Sequence, residues 1–276
     1  MKWIIPVFLT VLVFAGCAGG AESGSPIDFL TSPHWNDGKA EFQTYDAQLS
    51  KYGEMRNARA KIILVKEPFD TREFVKSDSA DNYVLKLNYI RTIPAGMYDY
   101  HQMMSIFFHI GSGKILKFSM SSQDGCGNTY AEYTSAKEKG TVRWHSYFDD
   151  QGRKEAEIDL SDATLYDALP VVLRYRIDYE NPYPVSFYSS LIANQYSPPK
   201  LIKGEVINQL RGDYIETVLS YGDGKKDTLH FQRKFPHALI LWKRDNGEVL
   251  RLDRSHFIDY WNYTAADDRD LVESNE

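Results

Sequence analysis

Alternating apolar and polar residues dominate the chain from about residue 40 onward. Residues 83 to 89 place apolar side chains at every second position, which is typical of a strand with one buried face. The short apolar run at residues 62 to 65 predicts a buried strand that stops at Glu67-Pro68. The apolar phase slips by one residue at Thr44-Tyr45, and this slip predicts a β-bulge.

The C-terminal part carries the clearest hairpin pattern. Alternating residues before Gly222-Asp223-Gly224 resume after it, and a second pair of apolar runs flanks Asn246-Gly247. Asn-Gly between two such runs is a strong short-range signal for a β-hairpin. Successive strands joined by short turns predict an antiparallel meander.

One segment has helical rather than strand spacing. Leu165, Leu169, Leu173 and Ile177 predict a helix near residues 163 to 177, although Pro170 should kink it or delay its start. The whole pattern predicts a mainly β fold, either an antiparallel curved sheet or a barrel-like meander, with one packed α-helix. A curved sheet around a helix would resemble the fold of periplasmic lipid-carrier lipoproteins.

The first seventeen residues have the layout of an export signal. Lys2 is followed by an apolar stretch, Trp3 to Val13, which is too short to span a bilayer. The following Phe14-Ala15-Gly16-Cys17 resembles the bacterial lipobox, with Phe in place of the usual Leu. This resemblance implies that Cys17 receives a diacylglyceryl group and fatty acyl chains such as palmitate, and that residues 1–16 are removed. A plain secretory signal cut near residues 18 to 21 is the alternative.

The same pattern suggests boundaries and a location. We expect a lipidated Cys17 with a flexible tether over 17–33, a single β-rich domain over 34–263, and a disordered acidic tail over 264–276. Neither an acidic cluster nor an Asp follows Cys17. By resemblance to other lipoproteins, this favours the inner leaflet of the outer membrane, facing the periplasm, with the membrane as partner through the lipid anchor.

Composition narrows the possible functions. The formal charge is −6 and the chain has no basic block, which argues against binding nucleic acid. Aromatic residues make up 14% of the chain, in keeping with a β-rich fold. If Cys17 is acylated, Cys126 has no second cysteine with which to form an intramolecular disulfide.

Few residues suggest chemistry. Cys126, between Gly125 and Gly127, could be a nucleophile, but a small buried hydrophobe is the favoured interpretation. His101 and His109 would share one face of a strand, yet a metal site needs three or four converging ligands, so we expect no metal.

Three further motifs are interpreted conservatively. Gly111-Ser112-Gly113-Lys114 resembles a fragment of a phosphate loop, but Ile115 follows where Ser or Thr would bind Mg²⁺, so a hairpin turn is expected. Arg211-Gly212-Asp213 matches an adhesion tripeptide but is ordinary turn sequence. Glu205 and Glu216 could pair for acid–base work, although no spacing fixes their separation. No catalytic, cofactor-binding or metal-binding residue is therefore assigned, and Cys17 is the one assigned site.

An aromatic segment is the last feature. It could line a groove or cavity, or simply pack in the core. We therefore expect a non-catalytic envelope protein that binds an apolar ligand or a partner protein. A periplasmic hydrolase using Cys126 or a carboxylate pair is the alternative. The segment comprises Tyr175, Tyr179, Tyr183, Phe187, Tyr188 and Tyr196.

Short motifs across residues 34 to 263 resemble uncharacterised exported proteins, chiefly of Bacteroidetes-type bacteria. Some of these carry the label septum formation inhibitor, a nucleotide-pyrophosphatase family whose Ser-x-x-Pro-Arg-Arg start is missing here. The label would imply an activity that these residues do not support. The motifs are Trp35 to Glu41, Cys126 to Thr129, Asp167 to Pro170, and Phe235-Pro236-His237 leading through Trp242 to Tyr260-Trp261.

Overall fold

The structure is a computed structural model that describes residues 24–135 and 139–271. The described residues form one sheet of sixteen strands and two short α-helices. The strands are β1 (Ala40–Lys51), β2 (Glu54–Asp70), β3 (Val75–Lys76), β4 (Tyr83–Pro94), β5 (Asp99–His109), β6 (Ile115–Gln123), β7 (Asn128–Thr134), β8 (Lys139–Ser146), β9 (Arg153–Asp159), β10 (Thr164–Leu165), β11 (Tyr183–Tyr188), β12 (Leu201–Arg211), β13 (Tyr214–Tyr221), β14 (Lys225–Gln232), β15 (Leu239–Lys243) and β16 (Val249–Ile258), and the helices are α1 (Pro26–Thr31) and α2 (Leu169–Val172).

Almost every strand pairs with its neighbour in sequence. Two antiparallel meanders, β1 to β9 and β11 to β16, are joined because β1 also pairs with β16, while β3 pairs only with β2. The short β10 lies parallel to β11 at one edge of the sheet, and β9 forms the other edge. These edges approach each other where the backbone N–H of Asp159 donates to the Tyr188 hydroxyl at 3.0 Å, but the sheet does not close. The prediction of a mainly β, antiparallel fold is confirmed.

The helix that was predicted over residues 163 to 177 is much shorter in the structure. Only the four residues of α2 are α-helical, preceded by a 3₁₀ turn at Tyr166–Ala168. Pro170 lies in the first turn of α2, where proline is tolerated because the first N–H groups of a helix have no partner within it. Residues 164–175 are all buried, so this segment fills the concave side of the sheet.

Local strand predictions fare better. The bulge at Thr44/Tyr45 is present in the pairing of β1 with β16, and the turns at residues 222 to 224 and at Asn246-Gly247 join hairpins as expected. The strand that was expected to stop at Glu67-Pro68 instead continues to Asp70. There it pairs with β3.

The fold begins within the stretch that was predicted to be a flexible tether. Residues 26 to 31 form α1, and Phe29 and Leu30 are buried in the main core, so the folded region begins well before residue 34. Within the predicted disordered tail, Ala266–Leu271 forms a 3₁₀ helix. The signal peptide, Cys17 and residues 272–276 lie outside the described residues. No helix among those described is long and apolar enough to cross a membrane.

The two ends of the strands differ, and we call them the closed end and the open end of the sheet. The closed end holds the start of β1 and is covered by α1; a Cβ at Gly113, in the β5–β6 turn, would lie only 2.8 Å from Pro26. The open end holds Lys51 at the far end of β1, together with the turns that join β4 to β5, β6 to β7 and β15 to β16. A polar cavity lies at the open end.

Candidate functional site

A row of polar residues interrupts the apolar interior near the open end. Arg91 on β4 has the same inward phase as Leu87 and Tyr89, where alternation calls for an apolar side chain. The residue opposite Arg91 on β5 is Gln102, and the residue opposite Gln102 on β6 is Ser122. The register therefore places three buried polar side chains side by side.

Hydrogen bonds connect this row. Nε and Nη2 of Arg91 both donate to Oε1 of Gln102, the first at 3.1 Å, and Nε2 of Gln102 donates to Oγ of Ser122 at 3.1 Å. Arg91 is only 7% exposed. Its direct partner is thus a neutral amide, and among the described residues Arg91 makes no ion pair.

Lys51 lies beside this row at the end of β1. Its Nζ donates to Oδ1 of Asn194 at 2.9 Å and lies 3.5 Å from the centre of the Tyr100 ring. Burial lowers the pKa of Lys51; Asp124 raises it and Arg91 lowers it further. Lys51 is therefore a second cation whose direct polar partner is a neutral amide.

A third cation, Arg244, has a carboxylate as its direct partner, although its buried Nε makes no hydrogen bond. Its Nη1 donates to Oε2 of Glu248 at 2.7 Å, and its guanidinium lies 4.0 Å from the Trp242 ring. Oε1 of Glu248 also accepts the backbone N–H of Ser50 at 3.1 Å. Burial alone would raise the pKa of Glu248, but Arg244 and then Arg91 hold it below its usual value.

Two buried aspartates fix the buried segment of residues 164–175, which we call the inner segment, against this end of the sheet. Asp227 accepts hydrogen bonds from the Tyr166 hydroxyl, the Trp242 indole at 2.9 Å and the Tyr221 hydroxyl at 2.9 Å. Asp167 accepts the Ser190 hydroxyl at 2.7 Å and a backbone N–H from the same loop. Both carboxylates thus satisfy donors that would otherwise be buried without partners.

The three cations Lys51, Arg91 and Arg244 border a cavity of about 420 Å³ that opens to solvent. Its volume lies within the usual range for small-molecule sites, about 300–1,000 Å³. No histidine or cysteine of the described residues is among those that line it. The lining residues are Ser50, Lys51, Arg91, Ile93, Gln102, Tyr166, Phe187, Ser189, Ser190, Ile192, Ala193, Asn194, Ile202, Tyr221, Lys225, Arg244, Asp245, Asn246 and Glu248.

Cys126 lies in the turn between β6 and β7 at the open end, and it is exposed rather than buried as expected. Its backbone N–H donates to Oδ1 of Asp124 at 2.6 Å, and its Sγ lies 3.4 Å from the Tyr98 hydroxyl. No described contact pairs the thiol with a histidine. Among the described residues, the side-chain partner of the thiol is thus the Tyr98 hydroxyl and not an imidazole.

The two candidate metal-binding histidines do not converge. His101 and His109 lie near opposite ends of β5, and Nδ1 of His109 lies 2.9 Å from Oγ of Ser112. Eight residues of strand separate the two by about 26 Å. Within residues 24–135 and 139–271, no group of three or more His, Cys, Asp and Glu side chains could hold a metal ion.

The remaining motifs are structural. Residues 111 to 114 belong to the β5–β6 turn, and residues 211 to 213 to the β12–β13 turn. Glu205 lies opposite Ser220, four residues along β13 from Glu216, so the two carboxylates do not form a close pair. The carboxylate of Glu216 instead contacts Arg211 at 3.2 Å.

The aromatic segment packs mainly in the core. Four of its six members are buried in the main cluster, and Tyr179 and Tyr196 pack against that cluster. Only Phe187 contributes to the cavity wall. The cavity residues themselves were missed by the sequence analysis. The sequence did contain a signal for them, because Arg91, Gln102 and Ser122 are polar residues at positions where the alternating pattern of each strand predicts a buried apolar side chain.

No protein family matches the chain, and no curated protein matches it. Among solved structures, the chain is similar to a beta-barrel-like protein of domain of unknown function DUF1849 from Brucella abortus. The two share 10% sequence identity with a TM-score of 0.49, and the match covers 80% of this chain and 98% of the other. This likeness supports no inference about a ligand or an activity.

Proposed function

We propose that the protein is a lipid-anchored, periplasm-facing binding protein of the cell envelope, which holds a small polar ligand in the open-end cavity without converting it. The observation that carries the binding role is the cavity itself, which is roomy, open to solvent and lined by fixed polar groups. The anchor is proposed from the lipobox-like sequence at Phe14 to Cys17.

The interior favours a polar ligand over the apolar ligand expected from the aromatic segment. Residues 164–175 and most of that segment already occupy the concave side of the sheet. What stays open is lined mainly by charged, amide and hydroxyl side chains. An apolar molecule would have to remove water from these groups without replacing their hydrogen bonds, which is costly.

The geometry of the anchor supports a water-soluble ligand. Seven residue steps separate Cys17 from Gly24, so this stretch can reach at most about 25 Å. It meets the fold at α1, on the closed end, whereas the cavity lies past the far end of β1, whose 12 residues extend about 40 Å. The proposed anchor would thus keep the cavity mouth away from the membrane that holds it.

Native mass spectrometry of the gently extracted full chain tests the binding role. We expect an adduct whose mass corresponds to a small polar molecule and which is lost on mild denaturation. A co-purifying lipid in its place would restore the apolar-ligand interpretation. Loss of any added substrate from solution, with a product appearing, would favour the hydrolase.

The anchor has its own test. Cys17→Ser removes the thiol that accepts the diacylglyceryl group, so cells fed a radioactive fatty acid should label the native chain and not the variant. A native chain recovered without acyl label, with an N-terminus beyond Cys17, would show that the segment is a plain secretory signal.

A further inference from the structure

We propose that the ligand of the open-end cavity is a small water-soluble anion, carrying a carboxylate or a phosphate that binds between Arg91 and Lys51. This inference rests on the proposed function and names the class of ligand. It follows from how the charges at this end of the sheet are paired.

Arg91 is a buried cation without a direct counter-ion. Removing a guanidinium from water is costly unless an opposite charge and hydrogen bonds replace the water. In this protein the two donors of Arg91 that face Gln102 share a single neutral oxygen, and no ion pair to Arg91 is present among the described residues. An anion in the cavity would supply the missing charge.

Lys51 repeats the same arrangement from the neighbouring side of the cavity. Its ammonium donates to the Asn194 side chain at 2.9 Å and lies over the Tyr100 ring, so its direct contacts are uncharged. Burial lowers the pKa of Lys51, the carboxylate of Asp124 raises it, and the proximity of Arg91 lowers it again by a smaller amount. A bound anion would relieve the repulsion between these two cations.

The carboxylates of the cavity wall are already engaged. Glu248 accepts Arg244 at 2.7 Å and the backbone N–H of Ser50 at 3.1 Å, and Oδ1 of Asp245 accepts the backbone N–H of Lys226 at 3.2 Å. Among the side chains that line the cavity, the four cations Lys51, Arg91, Lys225 and Arg244 outnumber the carboxylates of Asp245 and Glu248. The carboxylates of Asp124 and Asp167, which do not line the cavity, act on Lys51 and Arg244 respectively. The lining itself therefore carries a net positive charge, although the protein as a whole is acidic.

Isothermal titration of the detergent-solubilised full chain at fixed ionic strength tests this assignment. The probes are two carboxylates, citrate and succinate, two phosphates, inorganic phosphate and glycerol 3-phosphate, and two neutral counterparts, succinamide and glycerol. We expect saturable binding of at least one anion and none of its neutral counterpart. The two sets of anions distinguish carboxylate from phosphate chemistry.

Variants locate the binding. Arg91→Gln and Lys51→Gln should each weaken binding of that anion by at least about tenfold, since each variant removes a charged hydrogen-bond donor from the proposed site. The matched control is Arg251→Gln, which removes the same charge from an exposed position on β16 and should change affinity less than about twofold at this ionic strength.

Three results would overturn the inference. One is neutral counterparts that bind as tightly as the anions; another is equal weakening by Arg91→Gln and Arg251→Gln, which would indicate general surface charge. The third is that no anion binds while native mass spectrometry still finds a polar adduct; the proposed function then stands and the ligand class is wrong. If no anion binds and no adduct is found, both proposals fail.

Discussion

Two buried arginines, one at each end of the curved sheet, have different partners: one is paired with a carboxylate and the other with a neutral amide. At the closed end, Arg174 is 2% exposed and holds Glu41 with two parallel hydrogen bonds of 2.8 and 2.7 Å, while its Nε donates to the Pro236 carbonyl at 2.7 Å. At the open end, Arg91 is buried almost as deeply, yet it donates to a neutral amide and borders a cavity.

The difference separates a structural charge from a binding charge. Arg174 is enclosed by α1 and neighbouring aromatic rings, lying 5.5 Å from the Phe29 ring centre and 5.9 Å from that of Trp35, and its counter-ion is built into β1. Nothing is missing from this pair. Among the residues that the structure describes, Arg91 has no such counter-ion, and the cavity beside it is where an anion can enter.

Glu41→Gln should have the largest effect on stability. It leaves Arg174 as an uncompensated buried charge, which costs about 3–5 kcal/mol of unfolding free energy. Urea unfolding followed by circular dichroism measures the loss. The control is Glu155→Gln, which breaks an exposed pair with Arg143 and should cost less than about 1 kcal/mol. Equal effects of the two variants would mean that the closed end does not depend on its ion pair.

Arg91→Gln should change stability far less than Glu41→Gln, by at most about 1 kcal/mol in either direction. It removes a buried charge that no carboxylate balances directly, and the new amide can still donate to Gln102, so little favourable energy is lost. The same urea titration checks this, alongside the binding measurement. A loss of 3 kcal/mol or more would place Arg91 with Arg174 as a structural residue.

Sequence analysis could find the frame of this fold but not the contrast between its ends. Alternation, Asn-Gly and the slip at Thr44-Tyr45 depend on local geometry, so the strands, the hairpin turns and the bulge were predictable. The segment over residues 164–175 was mistaken for part of a long helix because Leu165, Leu169 and Leu173 fall at helical spacing. In the structure every residue of this segment is buried, so the spacing does not mark one buried face of a helix.

The cavity was beyond prediction for a different reason. Arg91 and Gln102 are brought together by strand register, which can be guessed from one sequence, but Lys51 and Asn194, which lies in the loop between β11 and β12, are 143 positions apart in the sequence. The bidentate pair of Arg174 with Glu41 is equally non-local, with 133 residues between the partners. Only the polar residues at inward positions of β4, β5 and β6 gave a warning.

The closed end should also make stability dependent on pH. Burial lowers the pKa of His34; Glu41 raises it, Arg174 lowers it and Asp37 raises it, in decreasing order of effect. Below the unfolded value of about 6.5, the unfolded chain binds a proton that the folded chain resists. The free energy of unfolding should therefore decrease as the pH falls through about 6.5.

Unfolding titrations at pH 7.5 and 5.5 check the sign of this effect. His237 lies near the same end and its pKa is also lowered, chiefly by burial, so His34→Asn should reduce the pH dependence without abolishing it. A protein that gains stability on acidification over this interval would contradict the prediction.

Cys126→Ser should have the smallest effect, and it tests whether the open end binds or reacts. The side chain is exposed, the turn is held by backbone N–H groups that donate to Asp124, and a serine hydroxyl can keep the contact with Tyr98. Stability should therefore stay within about 0.5 kcal/mol of the native value. Anion affinity should also remain the same, because Cys126 is not among the residues that line the cavity.

A maleimide should label the native thiol without denaturant. Turnover of any substrate that disappears in the variant would instead assign the open end to thiol catalysis and remove the comparison between a structural and a binding arginine.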